Sequence, residues 1–265
     1  MIIKSVKRLN SGLTYSRIKI ILQKKDLHIH ATAYNMSPTT DHTVANVVKQ
    51  CRQNGLDYAG ILEHLNFNKK HPLHCIESLI AEFKELELPN SFFVGVEADI
   101  NPDGSDSCGA ELRQQLGLDY IIGSVHLSPK HFIRVEDYID EELQRITHAL
   151  QHNTNIDIIG HPWVQGIRWE RNGAIAHWDF GMVPEAYLEQ IIDLAITHNK
   201  AIEVNNLPEI FVQESYQLFL QKLLASEVKI SVGSDAHRIE NIKASNIRTK
   251  ILEQLGFTDE RIWIP

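Results

Sequence analysis

Residues able to bind metals or move protons recur along the chain in short groups: His28 and His30, Glu63 and His64, Glu97 and Asp99, His126, His161, Glu203, then Asp235 and His237. Neutral imidazoles mixed with carboxylates suit borderline divalent ions such as Zn²⁺, Mn²⁺ or Fe²⁺. The set is too large for one ion, so two or three divalent metals sharing a bridging carboxylate are expected. Water on such an ion has its pKa drawn down toward ~7, and adjacent ions neutralise a phosphate and its leaving oxygen. Hydrolysis, with metal-bound hydroxide as the nucleophile, is the reaction this donor set suits. One histidine at such a position is more often a hydrogen-bonded structural residue; the collective pattern is what points to metals.

Each group closes a short run rich in apolar, β-branched residues, and helical spacing follows most of the runs. The runs predict strands at 25–30, 58–64, 92–100, 120–127, 156–162, 201–206 and 228–234. Helices are expected at 43–54, 75–86, 110–116, 135–151, 184–200, 213–226 and 241–255. Such alternation implies a parallel sheet, because parallel neighbours need crossovers. Runs apolar on both faces fit a sheet covered by helices. No glycine-rich phosphate loop follows the first run, which favours a closed barrel over an open dinucleotide-binding sheet. In a parallel barrel the C-terminal strand ends converge on one mouth, where active sites are built. Side chains alternate along a strand, so His28 and His30 face the same way, as do Asp235 and His237 if the last strand reaches them. Residues 163–182, with Trp163, Arg168, Trp169 and Arg171, break the rhythm and are expected to form a long structureless, functional connection.

A length of 265 residues, 43% hydrophobic and 23% charged, suits one large soluble domain. The formal net charge of −8, without a basic run, disfavours nucleic acid as a partner. Cys51, Cys75 and Cys108 have no paired spacing, in keeping with a reducing cytoplasm. Residues 1–24 are expected to be an N-terminal extension ahead of a domain at 25–265. Their apolar run, Ile18 to Leu22, is too short for a signal peptide or a membrane span, so a cytoplasmic protein without membrane contact is expected. Oligomeric state is not indicated.

The stretches DLHIH at 26–30, LEH at 62–64, GVE at 95–97, GSVH at 123–126, GHP at 160–162 and GSDAH at 233–237 resemble, in order, the PHP family (polymerase and histidinol phosphatase). The resemblance runs from Asp26 toward the C-terminus. It implies an α/β fold, a single-domain distorted (β/α)7 TIM-like barrel, with a two- or three-metal centre. By position it implies His28, His30, Glu97 and Asp235 around one ion. Glu97 would bridge to a second, held also by His126 and His161, while His64 and His237 would help hold a third. Two positions depart from the family pattern: Glu63 stands where Asp is usual, and Met36 stands near an expected histidine. His42 either folds back to substitute for it or sits exposed near a helix start.

The expected activity is phosphomonoester hydrolysis of the histidinol-phosphate phosphatase kind, on a small phosphorylated substrate. Arg168 is the candidate phosphate contact in the site, with Arg171, Arg238 and Lys130 as further basic candidates. Asp235 and His237 are candidates for proton transfer. The alternatives are a phosphodiesterase or nuclease, another metallohydrolase of the same fold, or a non-catalytic metal-stabilised module. His148, His152, His177 and His198 read as ordinary helix or loop residues, and His71 and His74 as flanking a strand-end loop.

Overall fold

The computed structural model describes residues 3–8, 14–19, 22–34, 41–66, 73–132, 134–205 and 207–265. Two strands come first, β1 (Ile3–Arg8) and β2 (Thr14–Lys19), paired antiparallel in a sheet of their own. The main sheet comprises β3 (Lys25–His30), β4 (Tyr58–Leu62), β5 (His64–Leu65), β6 (Phe92–Asp99), β7 (Tyr120–Ser124), β8 (Ile158–Ile159), β9 (Ala201–Asn205) and β10 (Lys229–Gly233). Interleaved are α1 (Val44–Gln53), α2 (Leu73–Glu85), α3 (Gly109–Leu116), α4 (Val135–His152), α5 (Gln165–Arg171), α6 (Glu185–Thr197), α7 (Pro208–Phe211), α8 (Glu214–Ala225) and α9 (Ser245–Leu255).

The helices follow local rules. In α1, Val44, Val47, Val48 and Cys51 recur at helical spacing and are all buried. The Thr43 side chain accepts from the Asn46 N–H at its start, and Gly55, at φ +66°, lets the chain turn away just past its end.

Seven strands run parallel in the order β3-β4-β6-β7-β8-β9-β10, with the short β5 pairing beside β6. The first and last strands then nearly close the ring. Their backbones touch at Ile29 and Ala236, where the His30 N–H donates to the Ala236 carbonyl at 3.0 Å. Side chains complete the seam. Asp26 accepts the Ser234 N–H at 2.9 Å, and the fully buried Arg248 donates to the carbonyls of Gly233 (2.6 Å) and Lys25 (3.0 Å). This is a distorted, TIM-like α/β barrel.

Strand alternation divides the core. Ile29, Ile61, Val94, Val96, Ile121, Ile159, Ile202, Val204, Ile230 and Val232 belong to a large apolar cluster that includes the buried faces of the helices. The opposite faces supply a smaller cluster of Leu62, Tyr120, Ile122, Ile158 and Ala201, with Phe93 and Trp263 against it. Tyr120 spans this interior and donates its hydroxyl proton to the Leu27 carbonyl at 2.6 Å. Its bulk fits because Gly60 and Gly95 present no side chain: a Cβ on either would stand within 3.0 Å of the Tyr120 ring or hydroxyl. Further along these same faces come Glu203, two residues past Ala201, and Glu97, four past Phe93, with His28 and His30 on β3 beside them. An apolar floor below and a polar mouth above follow from period-two alternation on every strand.

Several sequence expectations need correction. The strand expected at 156–162 is only Ile158–Ile159, and the one expected at 120–127 ends at Ser124. Residues 163–182 are not structureless: they hold α5 and a 3-10 turn at Phe180–Met182. Gly166 lies so close on Trp178 that a Cβ there would meet the indole at 2.3 Å. Trp163, Trp169 and Trp178 are all buried, so this segment is packed down as firmly as the core.

Candidate metal centre

At the mouth, all eight residues singled out by the sequence as ligands meet. Glu97, fully buried on β6, is the hub. Its Oε1 lies 2.9 Å from His161 Nε2 and 3.3 Å from His126 Nε2. Its Oε2 lies 2.8 Å from His64 Nδ1 and 3.4 Å from the Nε2 atoms of both His28 and His30. Asp235 Oδ1 is 3.1 Å from His30 Nε2 and 3.7 Å from His28 Nε2. One donor atom from each of His28, His30, Glu97 and Asp235 falls within a common 4.8 Å; so do those of His64, Glu97 and His126, and of His30, His64 and His237.

These contacts fit shared cations. His28 Nε2 faces His30 Nε2 at 3.1 Å, and His64 Nε2 faces His237 Nε2 at 3.3 Å, close enough for each pair to share a proton or an ion. Glu97 Oε2 and Asp235 Oδ1 are buried among imidazole nitrogens, at 2.8–3.4 Å and 3.1–3.7 Å. Buried acceptors gathered this way are costly unless a positive charge lies between them.

A second tier of carboxylates stands behind the imidazoles. Glu203 Oε1 is 2.9 Å from His28 Nδ1, Glu63 Oε1 is 3.1 Å from His30 Nδ1, and Asp99 Oδ1 is 2.8 Å from His126 Nδ1. Each carboxylate fixes its imidazole with Nδ1 protonated and Nε2 free to bind, the usual orienting arrangement around metal sites. Glu203 also holds the backbone of a neighbouring strand end, since its Oε2 accepts the His161 N–H at 2.9 Å. This tier explains Glu63, whose carboxylate likewise accepts the His64 N–H at 2.8 Å.

The backbone is strained here. Among the described residues only five non-glycine positions have positive φ, and three of them are His161 (+25°), Trp163 (+56°) and Asp235 (+52°). Such conformations cost on the order of 1–3 kcal/mol each and persist only where surrounding contacts over-determine them.

Without ions, protons mediate between the donors. Burial favours the neutral imidazole of His28, yet Glu203 and Glu97 outweigh it and push the pKa up to about 10. Burial is likewise outweighed at His126, where Glu97 and Asp99 also give about 10. Burial would raise Glu97, but His28, His64 and His126 hold it well below the carboxylate range. At Asp235 burial is overcome by Arg168 and His30, again well below. His237 is lowered to about 4 by the charge on His30 and by burial.

Arg168, on α5, reaches into the site and pairs with Asp235 Oδ2. The other basic candidates do not. Arg171 pairs with Glu209 on the surface, Arg238 is exposed near Glu240, and Lys130 is exposed. His42 folds back rather than sitting exposed: it is buried, its Nδ1 lies 3.1 Å from Thr32 Oγ1, and its carbonyl accepts the Ala33 N–H at 3.2 Å. It is not grouped with the other donor atoms. Met36 and His71 lie outside the described residues, and His74 is exposed. Glu142, buried on α4 behind the His161 turn, escapes a sequence reading because its helix carries four other acidic residues, Glu136, Asp137, Asp140 and Glu141.

Fold and site define a parallel β/α-barrel protein with a multidentate His, Asp and Glu centre at its C-terminal mouth. The chain belongs to the PHP domain family, which matches residues 26–207. Among solved structures, a Listeria monocytogenes protein assigned as the histidinol phosphatase HisK superposes with a TM-score of 0.59 at 14% identity, over 83% of this chain and 97% of its own. At that identity the likeness is one of fold. A D-hydantoinase gives a TM-score of 0.42 at 11% identity, over 80% of this chain and 47% of its own, too remote to carry an argument. No match was found among curated proteins. No helix among the described residues is long and apolar enough to cross a membrane.

Proposed function

We propose that the chain is a metal-dependent phosphoesterase that hydrolyses a small phosphomonoester. The observation that carries this reading is Glu97, whose two oxygens face two different sets of imidazoles, as a carboxylate shared between ions must. His28, His30, Glu97 and Asp235 would hold one ion, Glu97 with His126 and His161 a second, and His64 with His237 a third. Bound ions of the Zn, Mn or Fe type would supply Lewis-acid charge and a water of lowered pKa.

The chain's own groups do the rest. Arg168, already drawn to the mouth by Asp235, is placed to turn its guanidinium onto a phosphoryl oxygen, where a bidentate contact is strongest. His237, with its side chain 41% exposed at the mouth and its Nδ1 3.4 Å from Asp235 Oδ1, is with Asp235 the candidate to handle the proton released by attack. Membership of the PHP family is the ground for a small substrate of the histidinol-phosphate class, and a net charge of −8 disfavours a long polyanion.

Turnover of p-nitrophenyl phosphate and of bis(p-nitrophenyl) phosphate, measured with Mn²⁺, Zn²⁺ and Fe²⁺, tests the reading. Metal-dependent cleavage favouring the monoester is expected. Absence of cleavage with every ion would overturn it, and preference for the diester would move the assignment to a phosphodiesterase.

A further inference from the structure

His161 rides on a reversal between β8 and α5 in which His161 and Trp163 both adopt positive φ. Three hydrogen bonds pin this turn from outside. The His161 N–H donates to Glu203 at 2.9 Å, the Trp163 N–H to Glu142 Oε1 at 2.6 Å, and the Trp163 indole N–H to the Ile139 carbonyl at 3.2 Å. Trp163 is fully buried, and Glu142 is 2% exposed. Glu142 therefore sits on the apolar face of α4, among Tyr138, Ile139, Ile146 and Ala149.

A carboxylate is a poor choice for that position on packing grounds. No Lys or Arg pairs with Glu142 among the described residues, and an unpaired buried acid is disfavoured against an apolar residue of similar volume. What a leucine could not do is accept the Trp163 N–H. That amide would otherwise be a buried donor in a strained turn, two residues from the imidazole that reaches Glu97.

We propose that Glu142 is a positioning residue: by accepting the Trp163 N–H it holds the His161–Trp163 turn in its strained form and keeps His161 Nε2 aimed at Glu97. It acts on the part of the centre that His161 reaches, at Glu97 Oε1. The proposal rests on the metal-centre reading above.

The test compares wild type with Glu142→Leu, Glu142→Gln and Glu142→Asp. Metal stoichiometry is measured by atomic emission and stepwise Mn²⁺ and Zn²⁺ affinity by chelator competition, with circular dichroism and thermal melting alongside. Glu142→Leu is expected to weaken one binding step by about 10–100-fold, the usual effect of losing an orienting partner, while the other steps stay within about threefold. Glu142→Gln keeps an acceptor of the same reach and is expected within about threefold of wild type. Glu142→Asp keeps the charge but draws the acceptor away, and is expected to weaken the same step even if Glu142→Leu does not fold. A purely structural role would lower the melting temperature and weaken all steps together, with no rescue by Gln. That result, or wild-type affinity in Glu142→Leu or Glu142→Asp, would overturn the proposal. A wild-type protein that binds no divalent ion would instead remove the metal-centre reading on which it rests.

Discussion

Replacing Glu203 by Gln should disable the centre through a change of tautomer, with almost no change of shape. Glu203 is fully buried and receives two donors at once: His28 Nδ1–H on Oε1 at 2.9 Å and the His161 N–H on Oε2 at 2.9 Å. A carboxylate accepts both. A carboxamide has one acceptor and one donor end. The backbone N–H of His161 cannot be anything but a donor, so the Gln oxygen must face it. The amide NH₂ then faces His28 Nδ1, which has to become an acceptor, moving the ring proton to Nε2. That nitrogen is the one 3.4 Å from Glu97 and 3.7 Å from Asp235, and once protonated it cannot ligate. Losing an orienting partner typically costs 10–100-fold in metal affinity, or about 1.4–2.8 kcal/mol at 1.4 kcal/mol per tenfold. Because the displaced proton blocks a donor outright, the upper end is expected. Chelator competition would measure the affinity, and ¹⁵N shifts of the imidazoles would report the tautomer. Metal affinity within threefold of wild type, or a His28 still protonated at Nδ1, would refute the reasoning.

Other consequences follow from the same geometry. In metal-stripped protein His28 and His126 titrate at about 10, above their unfolded value of 6.5. Their contribution to stability is thus complete below pH ~6.5 and lost as pH rises through ~10. Glu97 and Asp235 are depressed, so theirs is present above their ordinary pKa and lost in acid. Thermal melting of the stripped protein should therefore decline from pH 7 to 10, while metal affinity rises over the same range because those imidazoles must shed protons; a melting temperature flat across that range would contradict this. Gly233→Ala would put a Cβ 1.8 Å from Glu203 Oε1 and 2.5 Å from His28 Cβ, so metal affinity should fall at least tenfold by the same competition assay. Arg168→Ala should lower kcat and kcat/KM for a phosphomonoester by about 100-fold, as expected for loss of a donor on developing charge, with metal content unchanged; steady-state kinetics with emission analysis would check both.

Much of this centre is legible from sequence because β-strands translate spacing into direction. His28 and His30 have to share a face, and the same rule aligns Glu97 with Asp99. What alternation cannot show is which carboxylates stand behind the imidazoles. Glu63, Glu203 and Asp99 look like further donors in the sequence, and only the distances to Nδ1 atoms separate them from Glu97 and Asp235. The strand expected at 156–162 is overextended because nothing in the letters GHPW announces a positive φ at His161. The segment 163–182 reads as a loop from its glycines and tryptophans, whereas burial of Trp163, Trp169 and Trp178 supplies the packing that stabilises α5. Within the stretch expected to be an N-terminal extension, β1 and β2 pair antiparallel, although their apolar residues (Ile3 and Val6, Tyr15 and Ile18) stand three apart and give no period-two strand signal. Glu142 shows in the sequence only through its helical spacing with Tyr138, Ile139, Ile146 and Ala149, a signal masked by the neighbouring acids Glu136, Asp137, Asp140 and Glu141.

The central claim is that imidazoles and carboxylates from opposite ends of the chain share cations at one mouth. Metal content of the purified protein, beside that of a His28→Ala, His30→Ala double variant, tests it most directly. About two or more divalent ions per chain are expected in the wild type, with the loss of at least one in the variant. Less than one ion per chain, or the same content in both proteins, would contradict the account.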